Sequence, residues 1–148
     1  MHHADLDLDV TSGSRFHPIE ILLSIVIKMA VVMLLGAPAA AVLLFEIILN
    51  ATAMFNHGNI KIPEKLDSFL RLFIVTPDMH RIHHSIIKKE TNSNFGFSVP
   101  WWDRLMGTYI KKPTEGQLGM TIGLQEFRHL RYLNLNWLLV IPFIRSKD

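Results

Sequence analysis

From Ile19 to about Leu49 the chain is almost without polar positions, interrupted by the charges of Glu20, Lys28 and Glu46 and broken near its middle at Gly36-Ala37-Pro38. One continuous helix over that run would rise about 45 Å, well beyond the ~30 Å hydrocarbon core of a bilayer. The pattern therefore predicts two helices in a hairpin over about residues 19–54, dipping into or across a membrane with both ends on one face. Pro18 suits the first helical position, where its missing N–H would have no partner anyway. Arg15 precedes the hairpin and Lys61 and Lys65 follow it. Lys and Arg favour the cytoplasmic side, so both ends are expected there. The competing reading is the buried hairpin of a soluble bundle, because Lys28 and Glu46 are costly against lipid.

Outside the hairpin the runs are short. Thr11-Ser12-Gly13-Ser14 reads as a turn, and Leu66 to Val75 as a short amphipathic helix. That helix would carry Phe69, Leu70, Phe73 and Ile74 on one side and Asp67 and Arg71 on the other. Residues 88–94 are hydrophilic and expected to face solvent, and residues 113–123 read as loop. Trp101-Trp102-Asp103-Arg104 combines indoles, common at membrane interfaces, with an expected ion pair. Phe127 to Leu133 is basic and amphipathic, with His129 at its surface, and Trp137 to Ile144 is too short to span and is expected to anchor at the interface. The predicted fold class is all-α, an integral-membrane helical bundle forming one domain over residues 1–148.

Composition sharpens this. Hydrophobic residues make up 49% of the 148 and charged residues only 19%, more apolar than a soluble domain of this size requires. The net charge of +2 is mild and the basic residues are spread out, which argues against a nucleic-acid surface. There are no cysteines, so disulfides, thiolate ligands and iron–sulfur clusters are excluded, and any metal must be held by histidine with carboxylate or water.

The candidate chemistry lies in Pro77-Asp78-Met79-His80-Arg81-Ile82-His83-His84-Ser85. On a helix, His80, His83 and His84 stand at i, i+3 and i+4, so three imidazoles project from one turn. Neutral imidazole suits iron, zinc, copper and nickel. His57, at the exit of the hairpin, is by itself better read as a helix cap or surface residue than as a ligand.

Together these segments resemble the fatty acid hydroxylase / sterol desaturase superfamily. The 77–85 run resembles its last His-x-x-His-His box, and Asn94-Phe95-Gly96-Phe97 and Trp102 to Tyr109 are similar to the segment that follows that box. Phe55-Asn56-His57-Gly58-Asn59 resembles the isolated histidine element after the membrane hairpin. His2-His3 with the acidic run Asp5, Asp7, Asp9 looks like the end of the middle box, followed by Arg15-Phe16-His17-Pro18. The resemblance implies a histidine-ligated pair of non-haem iron ions held by His2, His3, His57, His80, His83 and His84. His17 is a further metal or active-site candidate, and Asp5 and Asp78 would support the ligand imidazoles. It implies a lipid substrate hydroxylated or desaturated with dioxygen, an electron-donor reductase or cytochrome, and a metal site on the cytoplasmic face.

The family pattern also has an earlier His-x-x-x-His box and a histidine three positions before His2, and neither is found in this sequence. The chain is therefore expected to be the C-terminal part of a family member, binding metal substoichiometrically and without lipid oxidation by itself. A non-catalytic membrane protein with a structural zinc site is the alternative. Histidines crowded on one turn argue against a haem, whose axial ligands come from opposite faces.

Overall fold

The computed structural model describes residues 1–144. It is helical, with no strand among the described residues and one isolated bridge between Ser85 and Ile122. The hairpin forms as its pattern predicts. Helix α1 runs Pro18–Leu35, Pro18 opening it behind His17 as the cap, and Gly36 closes it in the left-handed conformation (φ 62°) that an L side chain rarely adopts. Pro38 then caps α2, Ala39–Asn56. Each helix has 18 residues, about 27 Å of rise, close to the thickness of the hydrocarbon core. No residue of α1 is buried within the chain. A long, mostly apolar helix so little covered by its own chain is a candidate membrane span.

The remaining elements gather at the open end of the hairpin: α3 (Glu64–Leu70), α4 (Pro77–His83), α5 (Lys88–Thr91), α6 (Trp101–Met106), α7 (Gly116–Gly119) and α8 (Leu135–Val140). α4 packs on α2. It is capped by Thr76, whose hydroxyl accepts the Met79 N–H, and it buries Met79 and Ile82 completely. A small apolar cluster of Ala4, Leu138 and Ile141, bordered by Met1, Leu124, Phe127 and Tyr132, ties the N-terminal turn to α8.

Several expectations are corrected. The third helix ends at Leu70, short of Val75, and its polar face is the one turned inward: Asp67 and Arg71 are buried as an ion pair at 2.7 Å, while Phe69 and Phe73 are 58% and 52% exposed. Arg71 also donates to Thr76 Oγ1 and to the Lys111 carbonyl, so its charge is satisfied inside and the apolar face is left outside. Residues 88–94 are not a solvent-facing loop, since Glu90, Ser93 and Asn94 are buried. Asp103 and Arg104 do not pair. Asp103 accepts N–H groups, and Arg104 donates to the Arg71 carbonyl and stacks on Tyr109 at 4.3 Å. The 137–144 segment is partly drawn into the apolar cluster through Leu138 and Ile141, with Val140 and Phe143 left exposed.

Candidate metal centre

Four histidines from three separate stretches converge where the hairpin meets these short helices. One ring nitrogen from each of His2, His57, His80 and His84 lies within 4.8 Å of the others, and the last three residues are buried. His57 is delivered by the last turn of α2, and His80 and His84 by α4 and its C-cap. His2 comes from the N-terminal turn, whose Phe16 stacks on its ring at 5.3 Å. Gly13 permits that turn to lie over His57: a Cβ there would sit 3.1 Å from His57 Nδ1 and 3.3 Å from the Ala53 carbonyl oxygen.

Backbone partners assign the tautomers. His57 Nδ1 lies 2.7 Å from the Ala53 carbonyl and His2 Nδ1 lies 2.8 Å from the Ser12 carbonyl. A carbonyl only accepts, so each Nδ1 carries the proton and each Nε2 presents a bare lone pair. Yet His2 Nε2 and His57 Nε2 are 3.2 Å apart, and His80 Nε2 stands 3.1 Å from His57 Nε2 and 3.2 Å from His84 Nε2. No proton is available for the first of these contacts, and His80 can donate to only one of its two neighbours. Its Nδ1 is buried without a partner.

Facing lone pairs repel, and a cation removes the repulsion. Two nitrogens on one ion, each at a bond length of ~2.05 Å, are about 2.9 Å apart at a right angle and about 3.4 Å apart at a tetrahedral angle. These three separations fall between those limits. Burial is the leading cause that lowers the protonation of every imidazole here, His3 to about 3 and His57 to about 4, with His2, His80, His83 and His84 displaced in the same direction. The rings are therefore neutral at pH 7, the form that ligates metal. The donor set fits a histidine-preferring transition ion such as iron or zinc.

His3 and His83 lie beside this group rather than within it. His3 stacks on His84 at 4.5 Å and meets His83 edge-on at 4.6 Å. His83 is oriented by a hydrogen bond from Nδ1 to the Ser93 carbonyl, 2.9 Å away. His17 stands apart: its Nδ1 accepts the Ile19 N–H at 3.2 Å and its Nε2 donates to the Leu139 carbonyl at 3.1 Å, pinning the start of α1 to α8. Asp5 reaches the cluster through one intermediary, accepting from the Ser12 hydroxyl at 2.6 Å while the Ser12 carbonyl accepts from His2, with Arg15 paired to its other oxygen. Asp78 pairs with Arg81 at 3.4 Å and makes no contact with the histidines.

The residues that hold this arrangement were not evident in the sequence. Asn94, in the left-handed region (φ 48°), donates to the Met79 and Ile110 carbonyls and accepts the Ile110 N–H, clamping α4 to the segment after α6. The buried Asp103 carboxylate accepts the Phe95 and Gly96 N–H groups at 2.8 and 2.7 Å and the Thr108 hydroxyl at 2.6 Å. Between them, these two side chains fix the 93–97 strap whose Ser93 carbonyl aims His83. The only signal in the sequence was their place in the Asn-Phe-Gly-Phe and Trp-Asp-Arg-Leu segments after the histidine box.

The chain is 32% identical over 123 residues to the ornithine lipid hydroxylase OlsE of Rhizobium tropici, covering 82% of this chain and 36% of that protein, so it spans about a third of the curated relative's length. No solved structure matches it. The fatty acid hydroxylase family profile matches residues 1–108, a span holding all six clustered or adjoining histidines together with the Asn94 and Asp103 clamps. The chain belongs to the fatty acid hydroxylase family.

Proposed function

We propose that this chain carries the metal-binding end of a membrane lipid hydroxylase. The observation that supports the reading is the set of imidazole nitrogens facing one another at 3.1 to 3.2 Å with no proton for the contact between His2 and His57. His2, His57, His80 and His84 would hold iron, and His3 and His83 stand where a second ion would draw on them. Bound iron supplies the activation of dioxygen that no side chain can perform. The overall reaction places one oxygen atom into a lipid C–H bond and releases the other as water, consuming two electrons from a donor reductase or cytochrome and two protons from solvent. The protein's part is to keep the imidazoles neutral and aimed, and to present the lipid from the bilayer.

The hairpin lies in the membrane with Arg15 and Lys61 on the cytoplasmic side, which puts the histidines at that face. The relative's name suggests an amino-acid-bearing lipid as substrate, and hydroxylation rather than desaturation. Grafting this chain in place of the matched segment of the Rhizobium protein tests the reading. The graft should hold iron and add one oxygen, a 16 Da gain, to ornithine lipid, and His80→Ala should abolish both. A graft that takes up zinc, consumes no oxygen and leaves the lipid unchanged would favour a structural metal site instead.

A further inference from the structure

The hydroxyl-bearing and charged side chains of α1 are Glu20, Ser24 and Lys28, spaced four residues apart, so they form one stripe on an otherwise apolar helix. Glu46 and Asn50, also four apart, face them from α2. All five line one cavity of about 400 Å³ between the two helices, and Lys28 Nζ meets Glu46 Oε1 at 2.6 Å. Neither partner is fully covered, with 37% and 35% of their side chains exposed within the two candidate membrane spans. Charges within a membrane span are costly and mark functional sites by default.

The cavity leads to the histidines. Gly13, Phe16 and Ala53 line it, and they adjoin the site: Phe16 stacks on His2, the Ala53 carbonyl accepts from His57, and a Cβ at Gly13 would meet the His57 ring. Seven residues of α2 separate Glu46 from Ala53, a rise of about 10 Å. On the other side of the ion pair a second cavity of about 350 Å³, sharing Ile25, Lys28 and Glu46 with the first, continues between Val32, Met33 and Val42 toward the Gly36 turn. One groove thus runs from an apolar end, past a paired donor and acceptor, to the metal centre.

We infer that this groove binds the substrate lipid, with Lys28 and Glu46 holding a secondary amide of its acyl linkage. The amide carbonyl accepts from the ammonium and the amide N–H donates to the carboxylate, a match that an unmodified hydrocarbon chain cannot make. The acyl tail occupies the Val32, Met33 and Val42 end. The carbons on the other side of the amide point to the histidines, so the carbon that reacts lies on that side of the linkage. This assignment rests on the hydroxylase reading for its identification of the ligand as substrate.

The full chain in dioleoylphosphatidylcholine nanodiscs, without metal, can be photolabelled with a hexadecanamide probe carrying a diazirine beside the amide, in competition with N-decylhexadecanamide or with heptacosane of equal chain length. Label is expected within residues 24–28 and 46–50, and the amide should suppress it at least tenfold better than the hydrocarbon. The Lys28→Met/Glu46→Leu double variant, which removes both members of the ion pair together, should lose that difference. Label elsewhere, equal suppression in the unaltered chain, or a preference that survives in the double variant would overturn the assignment. The unaltered chain's label map and preference decide the matter even if the double variant fails to fold. Because no metal is used, an amide preference with no lipid oxidation by the graft retains the groove and removes the hydroxylase reading. Oxidation without the preference does the reverse.

Discussion

The hairpin and the end that carries the histidines bury opposite kinds of residue. Along α1 and α2 the large apolar side chains are turned outward, Leu34 being 85% exposed, whereas at the open end His57, His84, Asn94 and Asp103 are among the most deeply buried groups. The difference follows from two solvents. In lipid an outward Leu loses nothing and the backbone satisfies itself within each helix, so the hairpin needs little interior. The open end must instead hold imidazoles in fixed positions, and its interior is a network of side chains bonded to backbone, in which an unpaired polar group is expensive.

That contrast can be broken by substitution, beginning where the effect should be greatest. His57→Ala or His80→Ala should weaken metal binding more than 100-fold, since loss of groups that merely orient a ligand already costs about 10- to 100-fold. Metal content after dialysis against a graded chelator checks this. Asp103→Asn keeps the size but gives up charge-assisted acceptance from Phe95, Gly96 and Thr108. It should lower unfolding stability by about 2 kcal/mol, read by denaturant titration in detergent. Gly13→Val pushes side-chain atoms onto His57 and the Ala53 carbonyl. Metal affinity should fall about tenfold with helix content unchanged by circular dichroism. Smallest of all, Leu34→Ala on the lipid-facing side should change stability by less than about 0.5 kcal/mol. An effect there as large as that of Asp103→Asn would mean that α1 is packed against protein.

The features legible in the sequence are the local ones. The break at Gly36-Ala37-Pro38, the N-terminal Pro18 and the short helix carrying His80 and His83 each act within a turn or two of helix, and each forms where its pattern put it, although only His80 and His84 of the triplet enter the nitrogen cluster. Periodicity gave the third helix two faces but could not say which met water. Its Asp67–Arg71 pair turned inward because Thr76 and the Lys111 carbonyl complete the arginine's hydrogen bonds. The meeting of His2 with His57 and His80 depends on contacts 55 and 23 residues apart in sequence, and was indicated only by resemblance to a family. The supporting roles of Asn94 and Asp103 were not legible because most of their partners are backbone groups, which leave no mark on composition or spacing.

The central claim is that the converging nitrogens bind metal, and X-ray absorption on the iron-loaded chain tests it most directly. The expected spectrum has a first shell near 2.1 Å dominated by nitrogen, with the outer-shell scattering of imidazole rings, and it diminishes in His57→Ala and His80→Ala. An oxygen-only shell, or a spectrum unchanged in both variants, would contradict it.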